Sequence, residues 1–179
     1  MFMFGCGQFR YCHLLLYPQK MSKYFALISS LTLLILFGGS SVLFGDQMQD
    51  GFDAYKREDF KESFKYFHRS AVQGDALAQL LLGLMYDEGK GVPQDHTEAV
   101  KWYRLSAKLG NASAQSNLGL MYAEGQGVTQ DFVLAYMWFN LASSNGSKNG
   151  LEGLKMVKNK MSLSQIEKAK EMARNWKPK

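Results

Sequence analysis

Residues 76–111 and 112–147 align without a gap and agree at 18 of 36 positions. The common frame is A-x-A-Q-x-x-L-G-L-M-Y-x-E-G-x-G-V-x-Q-D-x-x-x-A-x-x-W-x-x-L-x-x-x-x-G. Duplication at this period removes most folds from consideration. One such unit cannot bury its own apolar face, so neighbouring copies must stack to close a core. Carried backwards, the frame places Asp59, Tyr66, Phe67, Ala71 and Gly74 on Asp95, Trp102, Tyr103, Ala107 and Gly110. Residues 46–75 therefore read as a degenerate first copy, ahead of full repeats at 76–111 and 112–147.

Each repeat reads as a helical hairpin, and the fold class as all-α. First helices are expected over 76–87 and 112–123. Gly89 and Gly91, like Gly125 and Gly127, end them where positive φ is needed. Asp95 and Asp59 are placed as N-caps, with Glu98 and Glu62 three residues on to complete capping boxes. Asp131 keeps the cap but has Leu134 at the reciprocal position. Ala99, Trp102, Tyr103 and Ala107 then build one apolar stripe. Gly110 and Gly146 close the second helices.

This frame resembles the Sel1-like repeat, a relative of the tetratricopeptide repeat. The resemblance rests on Leu82-Gly83-x-x-Tyr86, Gly89-x-Gly91-Val92, Asp95, Ala99 and Trp102-Tyr103. The second copy matches with Leu118-Gly119-x-x-Tyr122, Gly125-x-Gly127-Val128, Asp131, Ala135 and Trp138-Phe139. It implies an αα-hairpin solenoid acting as a non-catalytic adaptor between proteins, of a type that bacteria often export. One branch of that family staples each hairpin with paired cysteines and is linked to β-lactam binding. Here Cys6 and Cys12 both precede the repeats, so that branch's properties do not transfer.

Charge is unevenly spread. Residues 1–45 hold Arg10, Lys20 and Lys23 and no acid. Residues 46–147 hold 9 basic and 13 acidic groups, whereas 148–179 hold 9 and 3. A nucleic-acid-binding domain concentrates Lys and Arg on its folded surface; an acidic middle excludes that class. Between Lys23 and Asp46 lie 22 uncharged residues, strongest over 24–37 and followed by Gly-Gly-Ser-Ser. Residues 1–45 are thus expected to be a hydrophobic leader helix that exports the domain to the periplasm or beyond. The alternative is an uncleaved anchor in the inner membrane, giving membrane contact through residues 24–45. Met21 would suit a start for such a leader, with 1–20 as an over-extension.

Catalytic equipment is not apparent. Lys90 lies between Gly89 and Gly91, where a phosphate loop requires Lys followed by Ser or Thr. His68 and His96 have no second His or Cys at metal-ligand spacing. Neither a cofactor nor a metal is expected, and the chain is read as no enzyme. The runner-up is an envelope enzyme or a cell-wall or β-lactam-binding protein of the same fold, which rests on family analogy alone.

At 100° per residue, one side of the first helix gathers Leu77, Leu80, Leu84, Asp87 and Glu88. The second copy offers Ser113, Ser116, Leu120, Ala123 and Glu124. Stacked hairpins expose such a side as a concave groove. Its apolar floor and acidic edge would suit a peptide bearing apolar and basic side chains. The competing reading packs Leu77, Leu80 and Leu84 on the degenerate copy. So few repeats also leave self-association as a route to a longer stack.

Residues 148–179 are expected to form capping helices, since a solenoid's last open face must be covered. Phe132, Val133, Tyr136 and Met137 supply the surplus apolar surface to be covered. Ser162 and Gln165 are spaced as a capping box, and Ile166, Ala169, Met172, Ala173 and Trp176 form a stripe. A basic amphipathic tail resting on anionic lipid is the competing reading.

Overall fold

The computed structural model describes residues 47–178, and within them every regular element is α-helical. The helices are α1 (47–56), α2 (Phe60–Val72), α3 (Ala76–Glu88), α4 (His96–Lys108), α5 (Ala112–Glu124), α6 (Phe132–Ser144), α7 (Lys148–Lys158) and α8 (Leu163–Asn175). Consecutive pairs α3–α4 and α5–α6 are the two full hairpins of the sequence frame, and α1–α2 is the worn one. The leader, with Cys6, Cys12 and residues 24–45, lies outside the described residues. No helix of the described residues is long and apolar enough to cross a membrane.

Caps set the helix starts. The Asp75 carboxylate accepts from the Ala78 N–H at 2.7 Å, and Asn111 accepts from Ala114 at 3.0 Å. Asp95 and Asp131 each accept from two backbone amides of the following turn. Each satisfies helix-terminal donors that would otherwise lack partners. The reciprocal half of the expected boxes does not form at Asp59 or Asp95. Glu62 and Glu98 instead pair with Lys65 and Lys101 three residues on, because an exposed cation within the same turn competes for the carboxylate. Ser162 and Gln165 do form a full capping box.

The turn inside each full hairpin is closed by its recurring Gln-Asp. Gln94 Nε2 donates to the Asp87 carbonyl at 2.7 Å, and Gln130 Nε2 donates to the Ala123 carbonyl at 2.8 Å. The Asp95 and Asp131 amides donate back to Tyr86 and Tyr122, both at 2.9 Å. Within that turn Gly127 has φ of 65° and lies on the backbone of His96 and Thr97, so any side chain there would collide with the preceding repeat. Chain geometry and stacking thus converge on one residue.

The worn hairpin differs in its turn. Only residues 57–59 join α1 to α2, where 89–95 join α3 to α4. Glu58 takes φ of 63°, the left-handed position that Gly89 fills in the next repeat. With the turn shortened, Gly51 becomes the counterpart of Gly83. A Cβ on Gly51 would strike the Phe67 ring, one on Gly83 the Tyr103 ring, and one on Gly119 the Phe139 ring. The pattern Gln-x-x-x-Gly therefore recurs at 47–51, 79–83 and 115–119.

Three apolar clusters follow one another along the array. The first joins Phe67, Leu82 and Met85 with Phe52, Phe64 and Trp102. The second joins Val100, Tyr103, Leu118, Met121 and Trp138. The third joins Tyr136, Phe139, Val157, Ile166 and Ala169. Burying a side chain such as Leu82, which is fully enclosed, contributes about 1.5–3 kcal/mol. Polar ties cross the same interfaces, among them Ser63 Oγ to the Gly51 carbonyl (2.9 Å) and Ser106 Oγ to the Ala76 carbonyl (2.6 Å).

The C-terminal helices cover the surplus of the last repeat. Tyr136 and Met137 are buried, and Phe132 and Val133 pack into the third cluster beside Ile166 and Ala169. α7 approaches α6 through Gly150 and Gly153, with Gly153 against the Phe139 ring. α8 then lies along α6 rather than returning on α7 as α4 returns on α3. Trp176, the residue that follows α8, meets Trp138 edge-on at 5.9 Å.

Candidate partner-binding face

Each first helix is wedged between second helices on two sides. α3 packs on both α2 and α4, and α5 on both α4 and α6. A narrow stripe is left to solvent, and residues spaced by four, three and four fall on it. On α3 these are Leu77, Leu81, Leu84 and Glu88; on α5 they are Ser113, Asn117, Leu120 and Glu124. All eight are exposed or half-buried.

Seven of the ten residues singled out from sequence are thus at least partly open, and six of these share the stripe. Leu80, Ser116 and Ala123 are buried and present no surface. Ser116 bonds to the Ala112 carbonyl and to the Ser147 hydroxyl at 2.8 Å. Asp87 is half-buried and turned aside: its carboxylate accepts from the Tyr103 hydroxyl at 3.2 Å and meets His96 Nδ1 at 2.8 Å. Burial and that carboxylate push the Tyr103 phenol well above the usual tyrosine range. Leu81 and Asn117 complete the stripe and were missed by the sequence reading.

The stripe extends to both neighbours. With the shortened turn allowed for, Phe52 of α1 occupies the position of Leu84, and Met156 of α7 follows Leu120 one repeat later. Phe52, Leu84, Leu120 and Met156 thus hold equivalent positions, a row by register with one apolar side chain per first helix, and none is buried. Between α1 and α3 the row deepens into a recess of about 160 Å³, lined by Phe52, Tyr55, Leu81, Leu84, Glu88 and Lys90 among others.

The edge of the stripe is charged unequally. Glu88 is bound by Lys90 at 2.7 Å. Lys90 also donates to the Tyr55 hydroxyl at 3.0 Å and sits over the Tyr55 and Phe60 rings. The Glu88 carboxylate and the Tyr55 hydroxyl hold its ammonium above the usual lysine range. In the next repeat Gln126 replaces Lys90, and Glu124 has no ion-pair partner among the described residues. No cluster of potential metal ligands occurs among the described residues.

A family model described as Sel1 repeat matches residues 45–75, 76–111 and 112–147. The first match is shorter than the other two, in keeping with the contracted α1–α2 turn. Among solved structures, the chain is similar to a protective antigen of uropathogenic Escherichia coli displaying an SLR fold, with 31% identity and a TM-score of 0.71. That match covers 74% of this chain and 29% of the antigen. It is also similar to a Sel1 repeat protein from Oxalobacter formigenes, with 29% identity and a TM-score of 0.60, over 75% of this chain and 59% of that one. The chain therefore spans less than two thirds of either relative. No curated protein matches. Sel1 repeats generally mediate protein–protein interaction, and their fold is typically a non-catalytic scaffold. With three such repeats covering more than half its length, this chain belongs to the Sel1 repeat family.

Proposed function

We propose that this protein is a non-catalytic adaptor, exported or tethered to a membrane by residues 24–45, that holds an extended segment of a partner protein across α1, α3, α5 and α7. The row Phe52, Leu84, Leu120 and Met156 carries this reading. α3 and α5 both pack on α4 rather than closely on each other, so a segment that follows the row must pass over several helices. An extended peptide with apolar side chains along one side would meet the row. A Lys or Arg between them would face Glu124, the uncompensated carboxylate of the edge. Location is supported by the sequence alone, through the basic n-region and uncharged run before Asp46.

The test is an array of synthetic peptides probed with the full chain. Peptides with apolar residues along one side of an extended chain and an interposed lysine should be retained over scrambled sequences. Leu120→Ser and Glu124→Lys should each weaken retention about tenfold without lowering the melting temperature. Equal retention of scrambled peptides, or no effect of either substitution, would refute the reading. Fractionation of cells, with N-terminal sequencing of the product, tests export separately.

A further inference from the structure

The C-terminal unit has a second surface that neither the core nor the partner stripe uses. α7 turns Gly150, Gly153 and Val157 inward. On its outer side Lys148, Leu151, Lys155 and Lys158 follow at steps of three, four and three, which places them on one stripe. All four are exposed, Leu151 by 49%. The stripe leads into the α7–α8 turn, where Leu163 is 82% exposed, the most open large apolar side chain among the described residues. Leu163 directly follows the cap Ser162, and Lys158 and Lys160 precede it. Glu152 is the acid beside the stripe, while Glu167 of α8 is taken by Lys170 at 2.8 Å.

We propose that this outer face of α7, with Leu163 at its tip, docks on an anionic lipid bilayer. Charge decides first: residues 148–179 carry nine basic and three acidic groups, complementary to lipid phosphates. A second copy of the chain is a poor occupant, because a two-fold contact would bring Lys148, Lys155 and Lys158 against their own equivalents. A nucleic acid or an acidic protein surface would satisfy the lysines yet leave Leu151 and Leu163 with nothing apolar to meet. A bilayer takes both, holding lysines at the headgroups while leucines enter the acyl boundary. The helices achieve this while still capping the core, since the capping residues and the docking residues lie on different sides of α7.

The test is co-sedimentation of the full chain with vesicles of phosphatidylglycerol and phosphatidylcholine in equal parts, against vesicles of phosphatidylcholine alone. Any contribution of residues 1–45 is common to all variants and cancels in the comparison. The combined variant Lys148→Gln, Lys155→Gln, Lys158→Gln should bind the anionic vesicles about a hundredfold more weakly. A matched variant at the other end, Lys56→Gln, Lys61→Gln, Lys65→Gln, removes equal charge and should bind as the wild type does. Leu163→Ser, which disturbs no packing, should weaken anionic-vesicle binding about tenfold, and it keeps the test decisive should the triple variant fail to fold. Unchanged vesicle binding by the α7 variant and by Leu163→Ser would overturn the proposal. So would an equal loss in the matched variant, or retention of a polyanion by a stripe that leaves vesicle affinity unaltered.

Discussion

The Asn145 side chain donates to Gln115 Oε1 at 3.0 Å, completing a bridge in which Gln115 Nε2 donates to the Ala107 carbonyl. One repeat earlier, Gln79 makes the same bond to Ala71 at 3.1 Å. There Leu109 stands where Asn145 would be, and Gln79 Oε1 is buried without a partner. The two positions share their backbone conformation: φ −83° and ψ 3° at Leu109, φ −91° and ψ 16° at Asn145. Leu109 is 44% exposed, so little packing is lost on replacing it. Leu109→Asn should stabilise the protein by about 1 kcal/mol, read as a rise in denaturation midpoint at unchanged slope. Asn145→Leu should cost about 1–3 kcal/mol by recreating the orphaned acceptor.

Gly119 lies in mid-helix, where replacing glycine by alanine ordinarily stabilises by about 0.5–1 kcal/mol. Here the new Cβ would sit 2.8 Å from two carbons of the Phe139 ring. That ring cannot retreat, because Gly153 holds its other contact with α7. Gly119→Ala should therefore destabilise by about 1–3 kcal/mol, and chemical denaturation reads the sign directly. A stabilised variant would show that α5 and α6 can move apart freely.

Tyr103 supplies a pH dependence. Its phenol is held above the usual tyrosine range first by burial and then by Asp87. A group whose folded pKa is raised contributes stability that is fully present below its unfolded value. That contribution is lost as pH climbs past it, here upward from about 10. Thermal unfolding followed between neutral pH and strongly alkaline solution should show a steeper fall for wild type than for Tyr103→Phe. The variant should start about 1 kcal/mol lower at neutral pH, having lost the bond to Asp87.

Removing residues 148–179 would uncover Tyr136, Met137 and Phe139, which are 8%, 6% and 3% exposed with the cap in place. The truncated chain should melt well below the full one and aggregate at concentrations where the full chain is monodisperse. Light scattering during a thermal ramp measures both. A truncation as soluble and as stable as the parent would show that α7 and α8 are not a cap.

The hairpins were legible in the sequence because the gapless duplication carries its own punctuation. The glycine pairs, Asp95 and Asp131 mark the turns, and the helix limits follow within a residue. Gly51 was not legible. The α1–α2 turn is contracted, so a gapless extension of the frame slides past the one position that aligns Gln47 and Gly51 with their counterparts. The partner stripe was read partly off register for a different reason. α3 is apolar nearly all round, Ala-Leu-Ala-Gln-Leu-Leu-Leu-Gly-Leu-Met-Tyr, and such a helix does not declare which side faces water. Only the double wedging of α3 between α2 and α4 turns Leu80 inward and leaves Leu81 out. Capping boxes at Glu62 and Glu98 failed because spacing alone says nothing of the lysines competing for each carboxylate.

The detour of α8 also limits how the molecule can grow. Lys155 stands one repeat after Gly119, the glycine that lets Phe139 of the returning helix come close. A lysine there bars a returning helix from the same approach, and α8 accordingly lies elsewhere. Tandem duplication could insert new hairpins ahead of α7 at little cost. None could be appended behind it without prising Trp176 from Trp138 and replacing that lysine. Lengthening in descendants of this gene is therefore expected within the array, with the terminal pair carried along as a fixed stop.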